Sequence, residues 1–565
     1  MGADSTRRAP SWALVAAAVG VAVWLVVDPR TPDLAAQVYR ANLFGEVGWT
    51  VWDGRWYGGH EIPGYSLVFP PLAALLGVRT VGALAVLVST ALFARVARVA
   101  YGRAARWGTV WFALAALADV WSGRITFALG VSFGLGAIAA LVGVGRARAG
   151  RPVAAGRAMT PLAVALAAMC AACSPVAGAL LALAGVTHAL VARSWRSALV
   201  LGAPAAVVIA LLVGLFAEGG WEPYPLLSFI ATVAVLGGFL LALPREENLL
   251  RTGALVYLAA CVACVALHTP MGANVERYGV LLAGPLLLCA VLDRGRGAAG
   301  RGGAAAWRGG EGRPARAASA VAVAVAVAAL AGIAVWTAWG PVRETLAVAG
   351  NASTSAAYYV PVERFVAAHG GAAVRVEVPF TRGHWEAAWL ARGVSLARGW
   401  EKQLDERYNG VLLRRHLTAA SYYAWLRAQA VGYVALADAP LDPSSAGEGR
   451  LIERGLPYLR AVLRTAHWRI FAVAGATPLA SGPGVLSGIG HDWFALRARA
   501  AGAFVVRVHY TRYWTVVRGA ACVGAAPGGW TGVTVRAAGV VRIAARFSLG
   551  RALGLSTGDC TPSRG

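Results

Sequence analysis

Long apolar runs recur through the first 340 residues of this chain and constrain its fold more than any other feature. A run of about 18 or more apolar residues is typical of a helix that crosses a bilayer. Only 14% of the residues are charged, whereas a soluble protein has about one quarter. We therefore predict a polytopic α-helical membrane protein with about eleven transmembrane helices, at residues 11–28, 80–100, 107–121, 125–145, 159–173, 175–192, 197–216, 226–243, 252–268, 278–292 and 318–339.

The basic residues between these segments predict the orientation. With the N-terminus in the cytoplasm, the inner segments hold 20 arginines and the outer loops 6, namely Arg30, Arg40, Arg55, Arg79, Arg124 and Arg277. This asymmetry follows the positive-inside rule and requires an odd number of spans. The net charge of +25 then reports orientation and not a partner, and we expect membrane lipids but no nucleic acid among the partners. We predict a multi-pass plasma-membrane protein whose C-terminal region is extracytoplasmic.

Four regions follow from this organisation. Residues 1–340 form the transmembrane domain, which contains a long first outer loop at 29–79 and a flexible Gly- and Arg-rich cytoplasmic loop at 293–317. Residues 341–500 read as an extracytoplasmic α/β domain, with strands at 373–380, 433–438 and 468–473 and helices near 384–392, 418–430 and 448–466. Residues 501–565 alternate like strands between Gly-rich turns and predict a β unit.

The first outer loop is the most informative segment. It is too long for a simple connection, and loops of this length are functional or disordered. Three tryptophans, Trp49, Trp52 and Trp56, argue against disorder. We predict two short interfacial helices, at 34–44 and 66–77.

This loop resembles the GT-C superfamily of membrane glycosyltransferases. The resemblance rests on an acidic residue after the first span and on a Pro-Pro-Leu segment before the second, carried by Asp33, Trp56, Tyr57, Gly58, Gly59, His60, Pro63, Gly64, Tyr65, Pro70, Pro71 and Leu72. It implies transfer of a sugar from a polyprenyl-phosphate or polyprenyl-diphosphate donor to an envelope glycan or glycolipid acceptor on the outer face. Asp33 lacks the adjacent second acidic residue of several GT-C branches, so no metal ligand set is assigned and a divalent metal stays open.

Glycosyl transfer to a hydroxyl requires a carboxylate that accepts the proton of the nucleophile. Asp33 is the candidate catalytic base, and its alternative role is to cap the helix that follows it. Asp53 and Glu61 are the alternative acidic residues. The alternative role of Asp53 is to form a turn with Gly54, and the alternative for Glu61 is a solvated surface position.

The departing lipid phosphate requires cations, and arginine binds two phosphate oxygens at once. The candidates on the outer side are Arg55, His60, Arg124 and Arg277. Arg124 and Arg277 lie at outer ends of predicted spans, where an arginine runs against the charge rule. Snorkelling, or pairing with Glu276, is the alternative explanation, and His60 also suits a hydrogen-bonded interfacial position.

The seven cysteines divide into two groups. Five lie inside predicted spans as small buried thiols, namely Cys170, Cys173, Cys261, Cys264 and Cys289. Cys522 and Cys560 lie in the predicted outer region, where an oxidising compartment favours one disulfide. The chain has no phosphate-binding GxxxxGK[ST] motif and no HExxH. A transporter or flippase of envelope lipids or glycans, and a non-catalytic glycan-binding scaffold, remain alternative functions.

Overall fold

A computed structural model describes residues 12–142, 159–216, 219–305, 313–414 and 416–555. The chain divides into two units. The helical unit contains the described residues of 12–29, 66–210 and 222–345. The sheet unit contains those of 30–65, 211–221 and 346–555.

Fourteen α-helices precede the first strand of the large sheet in the described residues. They are α1 (Trp12–Val27), α2 (Pro32–Val47), α3 (Phe69–Leu76), α4 (Val78–Tyr101), α5 (Ala105–Trp121), α6 (Ile125–Val142), α7 (Thr160–Cys173), α8 (Pro175–Ala192), α9 (Ala203–Leu215), α10 (Leu226–Ala242), α11 (Asn248–Ala266), α12 (Glu276–Ala305), α13 (Arg313–Val348) and α14 (Val360–Ala368). A π-helical turn, Ala198–Gly202, leads directly into α9.

Each of the eleven predicted apolar segments carries a helix, but not all of these helices are long enough to cross a bilayer unaided. Within the described ranges, seven stretches are long and apolar enough: Val78–Trp121, Ile125–Val142, Pro175–Ala192, Ala198–Leu215, Asn248–Ala266, Gly272–Gly295 and Ala320–Val348. An eighth is reached if α1 and α2 count as one broken span. The helices Thr160–Cys173 and Leu226–Ala242 are shorter. The count of eleven is therefore not confirmed, whereas a helical unit with several helices long and apolar enough to cross a membrane is.

Small residues set how closely the helices of this unit pack. A side chain at Gly108 of α5 would collide with Cys289 and with the carbonyl of Pro285 on α12. A side chain at Gly178 of α8 would collide with Ala171 of α7. Close approach through small residues is the usual way in which helices pack in a membrane.

Both ends of the predicted flexible loop at 293–317 are helical in the structure. Helix α12 continues to Ala305 and α13 begins at Arg313, and residues 306–312 lie outside the described part. Alanine and arginine have high helix propensity, and the helices extend into this segment despite its glycines and its lack of an apolar period.

The sheet unit contains a five-stranded mixed sheet in the order β4-β3-β5-β7-β6. Its strands are β3 (Arg375–Glu377), β4 (Ser395–Leu396), β5 (Val431–Ala437), β6 (Leu459–Arg464) and β7 (Trp468–Val473), connected partly by α15 (Glu386–Trp389), α16 (Lys402–Asn409), α17 (Ala419–Ala428) and α18 (Ala446–Glu453). Strands β3, β4 and β5 are parallel, whereas β5, β7 and β6 are antiparallel. The predicted strands at 373–380, 433–438 and 468–473 are confirmed.

The predicted helix at 448–466 is wrong over its second half. Helix α18 ends at Glu453, Gly455 follows with φ 82°, and Leu459–Arg464 forms the edge strand β6. Leucine, alanine and arginine in this stretch suggested a helix, but Gly455 and Pro457 stop it, as a left-handed glycine and a following proline commonly do.

The C-terminal β unit begins at residue 480, earlier than the predicted 501. It consists of two four-stranded antiparallel sheets, β12-β15-β10-β9 and β13-β14-β11-β8. The strands are β8 (Ala480–Ser481), β9 (Gly484–Ile489), β10 (Trp493–Ala498), β11 (Gly502–His509), β12 (Trp514–Arg518), β13 (Ala521–Ala525), β14 (Trp530–Val535) and β15 (Gly539–Ala545), and α19 (Leu549–Ala552) follows. One apolar core includes Phe494 and Ile543 from the first sheet and Phe504 and Val533 from the second. The unit is therefore a β-sandwich.

Residues 30–65 belong to the sheet unit, although the sequence assigned them to a loop of the transmembrane domain. They contain α2 and a short antiparallel hairpin whose strands, β1 (Trp52–Asp53) and β2 (His60–Glu61), have two residues each. The Leu396 amide donates to the Arg55 carbonyl, and the His509 amide donates to the Gly58 carbonyl, at 2.7 and 2.8 Å. The segment therefore joins both the mixed sheet and the sandwich. The predicted helices at 34–44 and 66–77 are confirmed as α2 and α3.

Candidate functional site

Asp53 is the centre of a buried polar cluster in the sheet unit. Its carboxylate accepts a hydrogen bond from the Tyr39 hydroxyl at 2.7 Å and from the Arg55 amide at 3.1 Å. The His491 Nδ1 atom lies 3.1 Å from the same carboxylate, and its Nε2 lies 3.4 Å from Glu46. His491 thus stands between two carboxylates, one fully buried and one partly exposed.

The surroundings of Asp53 favour its ionised form. Burial alone would raise the pKa of Asp53, but the hydrogen bond and charge of His491, with contributions from His60 and Tyr39, lower it below the usual value. A carboxylate that accepts three hydrogen bonds retains its charge even in a dry environment. Asp53 is therefore an anion at neutral pH.

Trp56 organises the rest of the cluster. Its indole is stacked with the Tyr39 ring at 4.4 Å and with the His60 ring at 5.7 Å. The Arg40 guanidinium lies 5.2 Å from the same indole and donates to Glu401 at 2.5 Å. The Trp56 Nε1–H donates to the Ala387 carbonyl, which fixes the ring in the unit.

Three basic side chains of this cluster have more nitrogens than partners. Within the described residues, the Nε and Nη1 atoms of Arg40 and of Arg55, and both ring nitrogens of His60, are buried without a hydrogen-bond partner. A buried donor without a partner costs about 1–3 kcal/mol. Burial also lowers the pKa of His60, which opposes the attraction of the Asp53 and Glu401 charges. The free N–H groups of the two arginines, and the single ring N–H of a neutral His60, can bind an anion or a sugar hydroxyl. We call the set Tyr39, Arg40, Asp53, Arg55, Trp56, His60, Glu401 and His491 the Asp53 cluster.

The turn that carries these side chains is strained. Tyr57, Gly58 and Gly59 have φ values of 59°, 76° and 109°. The Tyr57 hydroxyl donates to the Glu401 carbonyl and accepts from the Glu401 amide. A non-glycine residue in this region of φ costs about 1–2 kcal/mol and is concentrated at functional sites.

Asp33 and Glu61 belong to the same unit, but neither is among the groups that contact Asp53. Asp33 lies half-buried in the first turn of α2, and the N-cap position belongs to Thr31. Glu61, on β2, accepts a hydrogen bond from the Thr511 hydroxyl at 2.6 Å. Asp33 therefore does not occupy the N-cap of α2, as the alternative role required, but lies in its first turn.

Arg124 and Arg277 belong to the helical unit. The Arg124 guanidinium lies 3.9 Å from Asp119 and 3.7 Å from Glu344. Arg277 lies 5.6 Å from the ring centre of Phe127. The structure thus brings Arg55, His60 and Asp53 together in one unit and places Arg124 and Arg277 in the other.

The cysteines agree with their two predicted groups as far as they are described, with one exception in burial. Cys170, Cys173, Cys261 and Cys289 are free and buried, whereas Cys264 is free but only half-buried. Cys522, on β13, is disulfide-bonded. Its predicted partner, Cys560, lies outside the described residues, so the pairing stays a prediction.

Sequence reasoning missed four members of the Asp53 cluster: Tyr39, Arg40, Glu401 and His491. Glu401 and His491 lie 361 and 438 residues along the chain from Arg40 and Asp53, which they contact. One signal was available, because the sequence predicts that Arg40 lies on the outer side, against the charge rule. Nothing in the local pattern of GIGHDW marks His491.

A second buried charged cluster lies beside the mixed sheet. Arg398 donates from Nε and Nη2 to Asp405 at 2.9 and 2.7 Å, and its Nη1 lies 3.5 Å from Glu448 and 3.8 Å from Glu377. Burial, followed by the charge of Glu448, raises the pKa of Glu377 well above its usual value. We call Glu377, Arg398, Asp405 and Glu448 the Arg398 cluster.

In comparisons with known proteins, the chain matches no family model and no curated protein.

Proposed function

We propose that this chain is a membrane glycosyltransferase of the GT-C type, which moves a sugar from a polyprenyl-phosphate donor to an envelope glycan or glycolipid acceptor. The observation that carries the proposal is the surplus of buried donors on Arg40, Arg55 and His60 in the segment directly after α1. A phosphate or diphosphate group supplies the acceptor oxygens that these nitrogens lack.

The proposed reaction needs one proton acceptor and one anion site. The acceptor hydroxyl attacks the anomeric carbon, its proton passes to a carboxylate, and the bond from that carbon to the lipid phosphate breaks. Asp33 is our candidate base because it is half-buried and so open to an acceptor. Asp53 is fully buried and accepts three hydrogen bonds, which suits a positioning role, and Glu61 is the remaining alternative.

The proposal includes a topology. The chain spans the plasma membrane about eleven times, with a cytoplasmic N-terminus and an extracytoplasmic C-terminal region, as the distribution of arginines favours. A membrane-impermeant maleimide should label Arg464→Cys, on the exposed edge strand β6, in intact cells. It should label Arg103→Cys, at an exposed position before α5, only after permeabilisation. The opposite pattern would contradict the orientation.

Sugar transfer is tested with purified full-length protein, labelled polyprenyl-phosphate sugars and an envelope acceptor extract. We expect Asp33→Asn to lower the rate by about 10²-fold or more, because an amide cannot take the proton. Glu453→Gln, which removes an exposed carboxylate paired with Arg469, is the matched control and should retain the rate.

The variants Asp53→Asn and Glu61→Gln separate the remaining assignments. Full activity in Asp33→Asn together with loss in one of these two would move the base to that residue. If the wild-type protein transfers no sugar from any donor, the glycosyltransferase proposal fails and transport of envelope lipids becomes the leading function.

A further inference from the structure

The helical unit contains an elongated cavity of about 750 Å³, which the proposed sugar transfer does not use. Along α6 its lining extends from Phe127 to Val142. At a rise of about 1.5 Å per residue, this separation corresponds to a length of about 22 Å. The cavity is therefore a long slot of the dimensions of an aliphatic chain, comparable with most of the bilayer's hydrocarbon thickness of about 30 Å.

The lining is apolar along most of this length and polar at one end. The polar end consists of His188, Ser194, Arg196 and Ser197, between the end of α8 and the π-helical turn. Val142, the last residue of α6, and Leu249, at the start of α11, line the same end. An amphiphile fits such a cavity in one direction only, with its headgroup at Arg196.

The polar end is held by specific contacts. The His188 Nδ1 atom lies 2.7 Å from the Ser197 hydroxyl, which joins the end of α8 to the π-helical turn. One Arg196 nitrogen donates to the Thr160 hydroxyl at 3.3 Å, and the side chain is exposed. A π-helical turn is rare and commonly occurs at functional sites.

We propose that this cavity binds an anionic phospholipid, with an acyl chain in the apolar slot and the headgroup phosphate on Arg196. The charge of this end favours an anionic headgroup, since Arg193 lies in the same turn and Trp195 is exposed beside it as an interfacial anchor. Basic sites between helices on the cytoplasmic side commonly bind such headgroups. The inference does not depend on sugar transfer.

The test uses delipidated full-length protein in neutral detergent and follows its thermal midpoint. Phosphatidylglycerol should raise the midpoint more than phosphatidylcholine with the same chains, because a ligand that binds only the folded state stabilises it. Arg196→Gln should weaken the apparent affinity for phosphatidylglycerol about tenfold, the loss expected for one charged hydrogen bond. Arg103→Gln, at an exposed arginine that does not line the cavity, should behave as the wild type.

Ala184→Phe fills the slot from α8 and should abolish stabilisation by either lipid. Mass spectrometry of lipids that copurify with each variant gives a second readout, independent of the midpoint. Equal effects of the two lipids, or unchanged affinity in Arg196→Gln, would overturn the headgroup assignment. Equal stabilisation by glycerol phosphate alone would exclude a lipid as the ligand and indicate a site for a free anion.

Discussion

The Asp53 cluster and the Arg398 cluster are both buried in the sheet unit. They differ in their hydrogen-bonding groups, because the first has more donors than acceptors and the second has more acceptors than donors. The Arg398 cluster has three carboxyl groups around one guanidinium, which is a surplus of acceptors. A bound proton relieves that surplus, as the raised pKa of Glu377 indicates. The Asp53 cluster has a surplus of donors on Arg40 and Arg55, and arginine does not lose its proton in proteins. Only a further acceptor can satisfy it, which is why we assign ligand binding to this cluster and structural support to the other.

The largest expected effect is on the Arg398 cluster. Arg398→Met leaves buried carboxylates without their cation and should destabilise the sheet unit by about 3–5 kcal/mol. Denaturant unfolding followed by tryptophan fluorescence measures the change. Arg469→Met, at an exposed ion pair, is the control and should cost no more than about 1 kcal/mol. Equal effects of the two substitutions would end the structural interpretation of Arg398.

The second prediction concerns Arg55, where a substitution should lower activity without lowering the stability of the fold. Arg55→Gln should reduce sugar transfer about 10²–10³-fold, the usual effect of losing one donor to a developing anion. Its stability should not fall, because the Nε and Nη1 atoms lack partners in the described structure. Arg460→Gln, on exposed β6, should change neither property. A large loss of stability with normal transfer would show that Arg55 only supports the fold.

The third prediction concerns acid. Asp53 has a pKa below its usual value of 3.8 in the folded state, so its contribution is present above that value and is lost as the pH falls through the lower, folded pKa. Asp53→Asn should therefore cost about 1.5–3 kcal/mol at pH 7, as charged hydrogen bonds do. Measured as a function of pH, the difference from wild type should shrink below pH 4. A constant difference would contradict an ionised Asp53.

The Arg398 cluster should respond to pH in the opposite direction. Glu377 has a raised pKa, so the stability due to its protonated form is complete below 4.5, the unperturbed value, and is lost as the pH rises through the folded pKa. Glu377→Gln retains the neutral form at every pH. The variant should lose less stability than the wild type between neutral and alkaline pH, in denaturant unfolding at matched ionic strength. Parallel curves would show that Glu377 is ionised throughout.

Local patterns predicted the elements well but not the assembly of the site. Apolar runs and their periodicity located the helices and the strands β3, β5 and β7, because each depends on residues close in sequence. The folding of residues 30–65 onto the sheet unit depends on long-range hydrogen bonds, such as the Gly54 amide to the His491 carbonyl at 2.6 Å. Sequence singled out Asp53, Arg55 and His60 by residue type. It could not show that Tyr39 and His491 hold Asp53, since neither partner has a distinctive local pattern.

The smallest predicted effect separates the two roles open to Asp33. An acidic residue in the first turn of a helix interacts favourably with the helix dipole, and the contribution is about 0.3–1 kcal/mol. Asp33→Asn should therefore cost at most about 1 kcal/mol of stability at pH 7. If that small cost accompanies a large loss of sugar transfer, Asp33 acts in the reaction and its helix position is incidental. A loss of several kcal/mol would instead mean that Asp33 supports the packing of α2, and the search for the base would turn to Asp53 and Glu61.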